Sequence, residues 1–333
     1  MSSFSKKDTI VIIAGLCFLV LLFLILSFRT KEYQRYGVHM GTTTSVTVYG
    51  KNERDIAEIE DLIDKLDREK LSWRQEGSLT AKLNNGEKVD DEVYLNWIRK
   101  SVDISKSTDG AYDITLRPLI ELWGIETASP KVPEDEELKS VLENIGYEAL
   151  LLDSEFFCVT DRKLDLGACG KGIALNCIRD YLNDHSVKAS CVAVGGSVLT
   201  YGDRPDNKAW TVGINDPKEP NKRLYGTLKL KGTHCISTSG NYEKYFEKDG
   251  KRYHHIFDPT TGYPAESGLS SVTVICDDGL VSDALSTACF VLGYEKSIPI
   301  LKEYDAHGVF ITDDYEMKTT PDFPYEIVNN EKS

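Results

Sequence analysis

The sequence has little that would support a redox or zinc site, because no two of its eight cysteines have C-x-x-C spacing. Cys17 lies in an apolar N-terminal run, and the other seven are an odd number that cannot all pair. Several lie in apolar stretches, where a free cysteine behaves as a small hydrophobic residue. We therefore predict neither a zinc site nor a disulfide framework. The seven are Cys158, Cys169, Cys177, Cys191, Cys235, Cys276 and Cys289.

The chain is also short of positive charge, with 39 Lys and Arg against 53 Asp and Glu and a net charge of −14 over 333 residues. The first 31 residues carry +3, which leaves −17 for the rest. Such an acidic body argues against nucleic acid as a partner, because phosphate backbones repel it. The 11 prolines and 25 glycines are too few for a low-complexity protein, and the length suits one large domain or two small ones.

Only one long apolar run is present, and it lies at the N-terminus. Residues 9–28 carry no charge and have basic residues on both flanks. About 20 apolar residues span a bilayer, and no small-x-small cleavage site follows the run. Leu16 stands before Cys17, where a lipoprotein signal would have a small residue. We predict an uncleaved transmembrane signal anchor in the cell membrane, with residues 1–8 cytoplasmic, residues 29–37 a tether and the body outside the cytoplasm.

The common nucleotide-binding signatures GxxxxGK[ST] and GxGxxG are both absent. A different glycine-rich turn, Gly167–Gly172, follows a predicted strand that ends at Asp165-Leu166 and precedes an amphipathic helical pattern. Backbone N–H groups at a helix start bind phosphate, and Lys171 adds a positive charge there. A plain strand-to-helix turn explains the same residues equally well, so the turn alone leaves both interpretations open.

The stretch Cys276–Gly293 combines a helical apolar pattern with two hard oxygen donors. Asp283 and Thr287 are four residues apart, which places a carboxylate and a hydroxyl one turn apart on the same face of a helix. Oxygen donors of this kind are the ligands that Mg²⁺ prefers. The alternative is an amphipathic helix with an exposed aspartate and a threonine hydrogen-bonded to the preceding turn.

Two further residues have both a structural and a functional interpretation. Trp73 lies in a loop before a short helix that Ser78 caps, and it either anchors the loop or stacks on a flat ligand. His255 stands just before the turn that begins at Asp258-Pro259. It suits an acid, a base or a phosphate ligand, or else makes a structural hydrogen bond.

Five short motifs follow one another along the chain: DLGACGKG (165–172), GG (195–196), TSGNY (238–242), HHIFDPTTG (254–262) and SDALST (282–287). In order and spacing, over about residues 38–312, they resemble the motifs of the ApbE family, the FAD:protein FMN transferases. Three N-terminal stretches also look like motifs of the family, namely MGT (40–42), LSWRQEGSLTAKLN (71–84) and YDITLRPLIELWG (112–124).

The resemblance implies an α+β fold with a flavin-binding cleft, over residues 38–325, followed by a tail at 326–333. It implies that FAD is bound with Mg²⁺ and that the FMN half is transferred to a threonine hydroxyl of a target protein, with release of AMP. The expected partner is a flavoprotein subunit with a [S/T]-G-A-[S/T] acceptor motif. A Mg²⁺-dependent FAD pyrophosphatase and a non-catalytic flavin-binding protein are the alternatives.

The resemblance also assigns residues. The metal ligands it implies are Asp283, Thr287 and the carbonyl of Ala168. The candidate catalytic residues are His255 and Asp283. The general base is left unassigned, and His255 is favoured because Asp283 can hardly act as a free base while it holds the metal. Trp73 is the expected flavin-stacking residue, although LSWR differs from the usual STY or STW. The residues expected to contact FAD are Met40, Trp73, Ala111, Tyr112, Asp113, Asp165, Lys171 and Ile256.

Overall fold

The computed structural model describes residues 31–50, 52–150, 162–185, 187–220 and 222–329. The predicted cytoplasmic segment 1–8 and signal anchor 9–28 lie outside these residues. Within the described ranges, no helix is both long enough and apolar enough to cross a membrane.

The described chain has the predicted α+β class, with antiparallel strands and separate helices. The helices are α1 (Arg54–Leu66), α2 (Leu79–Asn84), α3 (Glu92–Ser107), α4 (Arg117–Trp123), α5 (Asp135–Leu142), α6 (Gly170–Asp184), α7 (Gly279–Leu292) and α8 (Tyr294–Glu303). The strands are β1 (Lys31–His39), β2 (Thr42–Gly50), β3 (Ala189–Val194), β4 (Ser197–Tyr201), β5 (Trp210–Asn215), β6 (Leu224–Leu230), β7 (His234–Gly240), β8 (Tyr245–Lys248), β9 (Lys251–His254), β10 (Leu269–Cys276), β11 (His307–Thr312), β12 (Met317–Thr319) and β13 (Glu326–Asn329).

An eight-stranded antiparallel sheet forms the centre, in the order β1-β2-β3-β4-β7-β10-β11-β12. Helices α1, α6 and α7 cover one face, because each presents an apolar stripe to it, as Ile56, Ile59 and Ile63 do on α1. A three-stranded sheet in the order β13-β6-β5 packs on the other face through Trp210 and Leu228. The result is three layers with the large sheet in the middle.

The prediction of a tether at residues 29–37 is wrong for residues 31–37, which are the part that the structure describes. Lys31–His39 forms strand β1, which pairs with β2 along its whole length. Met40 and Gly41 make the two-residue turn between them, with φ angles of 50° and 68°. Positive φ at both central positions is the geometry that joins twisted antiparallel strands. The domain therefore begins before residue 38.

The prediction of a C-terminal tail at residues 326–333 is likewise wrong for its first four residues. Glu326–Asn329 forms β13 and pairs antiparallel with β6, from Glu326 opposite Lys229 to Asn329 opposite Gly226. This pairing adds a third strand to the smaller sheet, so the domain extends past residue 325.

Six of the cysteines lie in the described part, and all six are free thiols. Cys169, Cys235, Cys276 and Cys289 are buried, as their apolar sequence context predicts. Burial raises the pKa of the Cys169 thiol to about 12, so it stays protonated and packs as a hydrophobic residue.

Candidate active site

Two helix N-termini lie side by side because two glycines allow it. A Cβ atom on Gly172 of α6 would overlap with the carbonyl oxygen of Gly279 of α7, and a Cβ on Gly279 would overlap with the carbonyl oxygen of Gly172. Asn176 fixes this contact: its side-chain oxygen accepts from the Gly279 amide at 2.8 Å, and its side-chain nitrogen donates to Asp278 at 3.1 Å. Asp278 in turn caps α7. The positive ends of both helix dipoles therefore meet.

Asp283 lies at this junction and is buried, so the interpretation of it as an exposed aspartate is wrong. One carboxylate oxygen accepts from the Gly172 amide at 2.9 Å and the other from the Ser197 hydroxyl at 3.1 Å. The Lys171 ammonium lies 3.8 Å from the same carboxylate. The negative charge of Asp283 raises the pKa of Lys171, so the lysine is a cation at neutral pH.

Thr287 lies one turn after Asp283 on α7, as its spacing predicts. Its hydroxyl reaches the Asp283 carbonyl at 3.5 Å, so the alternative contact to the preceding turn is present but long. It also lies 3.2 Å from the hydroxyl of Ser239 on β7. Ser282 and Ser286 make similar contacts to β7, and a layer of hydroxyl groups thus separates α7 from the sheet.

The donors expected to hold a metal ion are all oxygens, which suits Mg²⁺. The Ala168 carbonyl, four residues before Gly172, accepts no hydrogen bond from the part of the chain that the structure describes. Among those same residues, no group of three or more His, Cys, Asp and Glu side chains could hold a metal. The donor set therefore has one carboxylate, and it fits an ion that also takes oxygens from a bound phosphate.

Trp73 is anchored to the glycine-rich turn. Its indole N–H donates to the Asp165 carboxylate at 2.5 Å, and the other Asp165 oxygen accepts from the Gly167 amide at 2.5 Å. The guanidinium carbons of Arg74 and Arg117 lie 4.2 and 4.1 Å from the centroid of the indole ring. The structure thus brings Trp73 and Asp165 together, and the predicted cap at Ser78 is present on the following helix α2.

The two adjacent histidines have different environments. His254 is buried against Phe290 and hydrogen-bonded to the Ala265 carbonyl, and burial lowers its pKa to about 4. His255 is part-exposed, and its Nδ1 contacts the Lys244 carbonyl at 3.2 Å. Desolvation, with Lys244 next in effect, lowers the pKa of His255 to about 3. His255 is therefore neutral at pH 7, with Nδ1 as donor and Nε2 left as acceptor.

The segment Ala111–Asp113 turns its side chains into the fold. Tyr112 is 1% exposed and packs in the same cluster as Cys169. The Asp113 carboxylate accepts from the Thr115 amide and hydroxyl at 2.7 Å each and from the Tyr147 amide at 2.9 Å. These hydrogen bonds explain why an acid stands among apolar neighbours.

The remaining expected residues lie near the glycine-rich turn or within the core. The Met40 methyl group lies 3.6 Å from where a Cβ on Gly170 would be, so Met40 borders the start of α6. Ile256 is 5% exposed, and its carbonyl accepts from the Ala265 amide at 2.9 Å.

Several polar and charged residues around this site are not predicted from the sequence. Glu126 pairs with Lys244 at 2.5 Å and with Arg74 at 3.4 Å, which links the Trp73 loop to the residue whose carbonyl contacts His255. Sequence alone carries no signal for Glu126 or Asn176, because their roles depend on contacts between distant segments. The sequence does contain a signal for Asp278, because aspartate is a common N-cap residue. Asp278 marks the start of the helix on which Asp283 lies.

The chain is similar to several known proteins. A family model described as the ApbE family matches residues 40–311. The FAD:protein FMN transferase of Treponema pallidum is 31% identical over 320 residues, which cover 88% of each chain. The FAD:protein FMN transferase of Escherichia coli (strain K12) is 29% identical over 311 residues, again 88% of each chain.

Solved structures agree with this. The crystal structure of the ApbE protein from Thermotoga maritima superposes with a TM-score of 0.81 at 33% identity, covering 88% of this chain and 98% of that one. The apo form of flavinyl transferase ApbE from Pseudomonas stutzeri superposes with a TM-score of 0.76 at 29% identity, covering 89% of this chain and 96% of that one.

Proposed function

The chain belongs to the ApbE family, and from this premise we propose that it is a Mg²⁺-dependent FAD:protein FMN transferase with the α+β fold of that family. The names of the relatives and the similarity to solved flavin transferases support the reaction class. One structural observation supports the choice of particular residues: the Asp283 carboxylate and the Lys171 ammonium lie 3.8 Å apart at the junction of two helix N-termini.

The reaction that we propose is a phosphoryl-type substitution. The hydroxyl oxygen of an acceptor threonine bonds to the FMN phosphorus of FAD, and the bond from that phosphorus to the AMP phosphate oxygen breaks. The hydroxyl proton passes to Nε2 of His255, and AMP carries away the electron pair of the broken bond. Such reactions depend mainly on positioning and on electrostatic stabilisation of the phosphate charges.

The junction supplies positive potential for a pyrophosphate. The amide groups at the start of α6 and the Lys171 ammonium would neutralise its charge as AMP departs. Asp283, Thr287 and the Ala168 carbonyl would hold Mg²⁺, which when bound would add positive charge at the phosphate oxygens. Asp165 and Trp73, joined by their hydrogen bond, would border the flavin half, with Met40 and the Ala111–Asp113 backbone behind it.

His255 is the residue that we propose for the acceptor hydroxyl. With Nδ1 donating to the Lys244 carbonyl, Nε2 can accept a hydrogen bond from the hydroxyl and orient it. A pKa of about 3 makes a weak base in the ligand-free protein. The negative charge of a bound pyrophosphate would raise this pKa, so His255 becomes a better proton acceptor when FAD is in place.

The test uses the full-length protein with FAD, Mg²⁺ and a flavoprotein fragment that carries a [S/T]-G-A-[S/T] acceptor motif. We expect the intact mass of the fragment to increase by one FMN unit. The gain should be lost with EDTA or with Asp283→Ala, and kept with Asp277→Ala, whose side chain is 93% exposed near the start of the same helix. Free FMN and AMP without a mass gain would instead indicate an FAD pyrophosphatase.

We also propose that residues 9–28 anchor the enzyme in the cell membrane with its catalytic domain outside the cytoplasm. The apolar run and its basic flanks support this. Protease added to intact spheroplasts should remove the catalytic domain; full protection until the membrane is lysed would contradict the proposed orientation.

A further inference from the structure

A small cavity of about 190 Å³ lies on the face of the large sheet opposite α7. Strands β4, β7 and β10 form its roof, and β5 and β6 of the smaller sheet form its floor. The apolar side chains that line it are Val198, Val212, Ile214, Leu228, Ile236 and Tyr242. This volume is below the roughly 300–1,000 Å³ of ordinary ligand sites, so the cavity is too small for FAD and suits a few small side chains.

One wall of the cavity is an open strand edge. Strand β5 pairs with β6, and in the described part of the chain it has no second partner. Its outer backbone N–H and C=O groups therefore pair with no described strand, which is the arrangement that another chain could extend. Added strands bind such edges through main-chain hydrogen bonds, while neighbouring pockets select their side chains. An extended polypeptide is the ligand that matches this combination.

The mouth of the cavity borders the candidate active site. The Gly195–Gly196 turn forms one rim, and the Glu243 carboxylate lies 3.2 Å from where a Cβ on Gly196 would be. Glu243 makes no hydrogen bond or ion pair with any described residue. Its carboxyl group is within electrostatic reach of Lys171 and Asp283, and partial desolvation raises its pKa against the opposing effect of Lys171.

From these observations we propose that the acceptor protein docks here as an extended segment. The segment pairs with the free edge of β5, its small side chains enter the cavity, and Glu243 accepts a hydrogen bond from it at the mouth. Gly196 has no side chain, and a Cβ there would lie only 3.2 Å from the Glu243 carboxylate, so the glycine keeps this carboxylate accessible. This inference rests on the proposed transferase function and deepens it, because it names the surface that holds the protein substrate.

The first test fills the mouth of the cavity without changing the core. Asn215→Trp places a bulky ring at the end of β5, where Asn215 is part-buried and lines the cavity. Thr211→Trp is the matched control, since Thr211 is exposed on the same strand and does not line the cavity. We expect Asn215→Trp to raise the KM for the acceptor fragment at least roughly tenfold with the KM for FAD unchanged, and Thr211→Trp to leave both unchanged.

The second test does not depend on a bulky substitution. Glu243→Gln keeps the shape and removes the charge, and Glu247→Gln, on the neighbouring exposed hairpin strand, is its control. We expect the KM for the acceptor to rise with Glu243→Gln alone. Wild-type acceptor kinetics for both Asn215→Trp and Glu243→Gln, or for Glu243→Gln alone if Asn215→Trp fails to fold, would overturn the docking proposal.

The two proposals fail in distinguishable ways. If the wild-type protein transfers FMN and the variants have unchanged acceptor kinetics, only the docking surface is wrong. If the wild-type protein hydrolyses FAD without modifying the fragment, the proposed function is wrong and the docking surface falls with it. If each variant changes the KM for FAD as much as that for the acceptor, the cavity belongs to FAD binding and the docking proposal is overturned.

Discussion

Gly172 and Gly279 face each other so closely that neither position has room for a Cβ atom. Their contact joins the first turns of α6 and α7, and it places the Gly172 amide within hydrogen-bonding distance of the Asp283 carboxylate. The geometry of the candidate site therefore depends on the absence of two side chains that carry no chemistry themselves.

Gly172→Ala should destabilise the protein markedly. The new methyl group would collide with backbone, which cannot move aside as a flexible side chain does, so we expect a loss of unfolding free energy of at least about 2 kcal/mol. Gly170→Ala is the matched control, because its nearest neighbours would be 3.6 and 3.8 Å from the new Cβ. Urea unfolding of both variants checks this. Equal stability of the two would contradict the close contact.

Lys171→Ala should weaken FAD binding more than it slows turnover of bound FAD. In the proposed site, removal of the ammonium would leave the pyrophosphate without a charge-assisted contact, and we expect the KM for FAD to rise on the order of tenfold. Lys188→Ala, an exposed lysine beyond the end of the same helix, should have no effect. Steady-state kinetics of both variants at low and high salt measure the KM for FAD. An unchanged KM for Lys171→Ala would show that this residue is not part of the phosphate site.

Trp73→Ala should also raise the KM for FAD, again by roughly tenfold. The substitution removes the ring that borders the flavin in our proposal and the hydrogen bond that orients Asp165. Trp97→Ala is the control, because Trp97 lies on α3 and packs against Tyr94 of the same helix. If the KM for FAD rose with Trp97→Ala and stayed constant with Trp73→Ala, the placement of the flavin would be wrong.

The buried histidine predicts a pH dependence of stability. The pKa of His254 is about 4 in the folded protein and near 6.5 when unfolded. The unfolded chain binds the extra proton between these values, so this residue lowers stability as the pH falls from about 6.5 towards 4. His254→Gln should flatten the pH dependence, by about 2 to 3 kcal/mol between pH 7 and pH 4.5. Urea unfolding at both pH values measures it, and a pH dependence identical to wild type would contradict the assigned burial.

Local patterns in the sequence predicted the parts of the site that lie within single elements. Asp283 and Thr287 lie one helical turn apart, and a glycine-rich turn precedes α6, both as expected. These features are predictable because helix periodicity and turn chemistry are local properties. Contacts between distant segments were not readable. Asn176 is an ordinary polar helix residue until Gly279 comes against it, and Glu243 gains its position only when the Gly195–Gly196 turn lies next to it.

The errors at the two ends of the domain have the same origin. Most residues of strand β1 are exposed, and its sequence lacks the apolar alternation that identifies a half-buried strand. Periodicity therefore did not predict a strand there. It forms because Met40-Gly41 makes the turn that returns it along β2. Strand β13 depends on β6, which lies far away in the sequence, and single-sequence periodicity holds no information on such pairing.

The most direct measurement of the central claim is the ratio of AMP released to FMN bound covalently to the acceptor fragment in one reaction. A transferase predicts one AMP for each FMN on the protein, with both products lost in Asp283→Ala and retained in Asp277→Ala. Release of AMP together with free FMN, and no flavin on the fragment, would contradict the account and identify water as the acceptor.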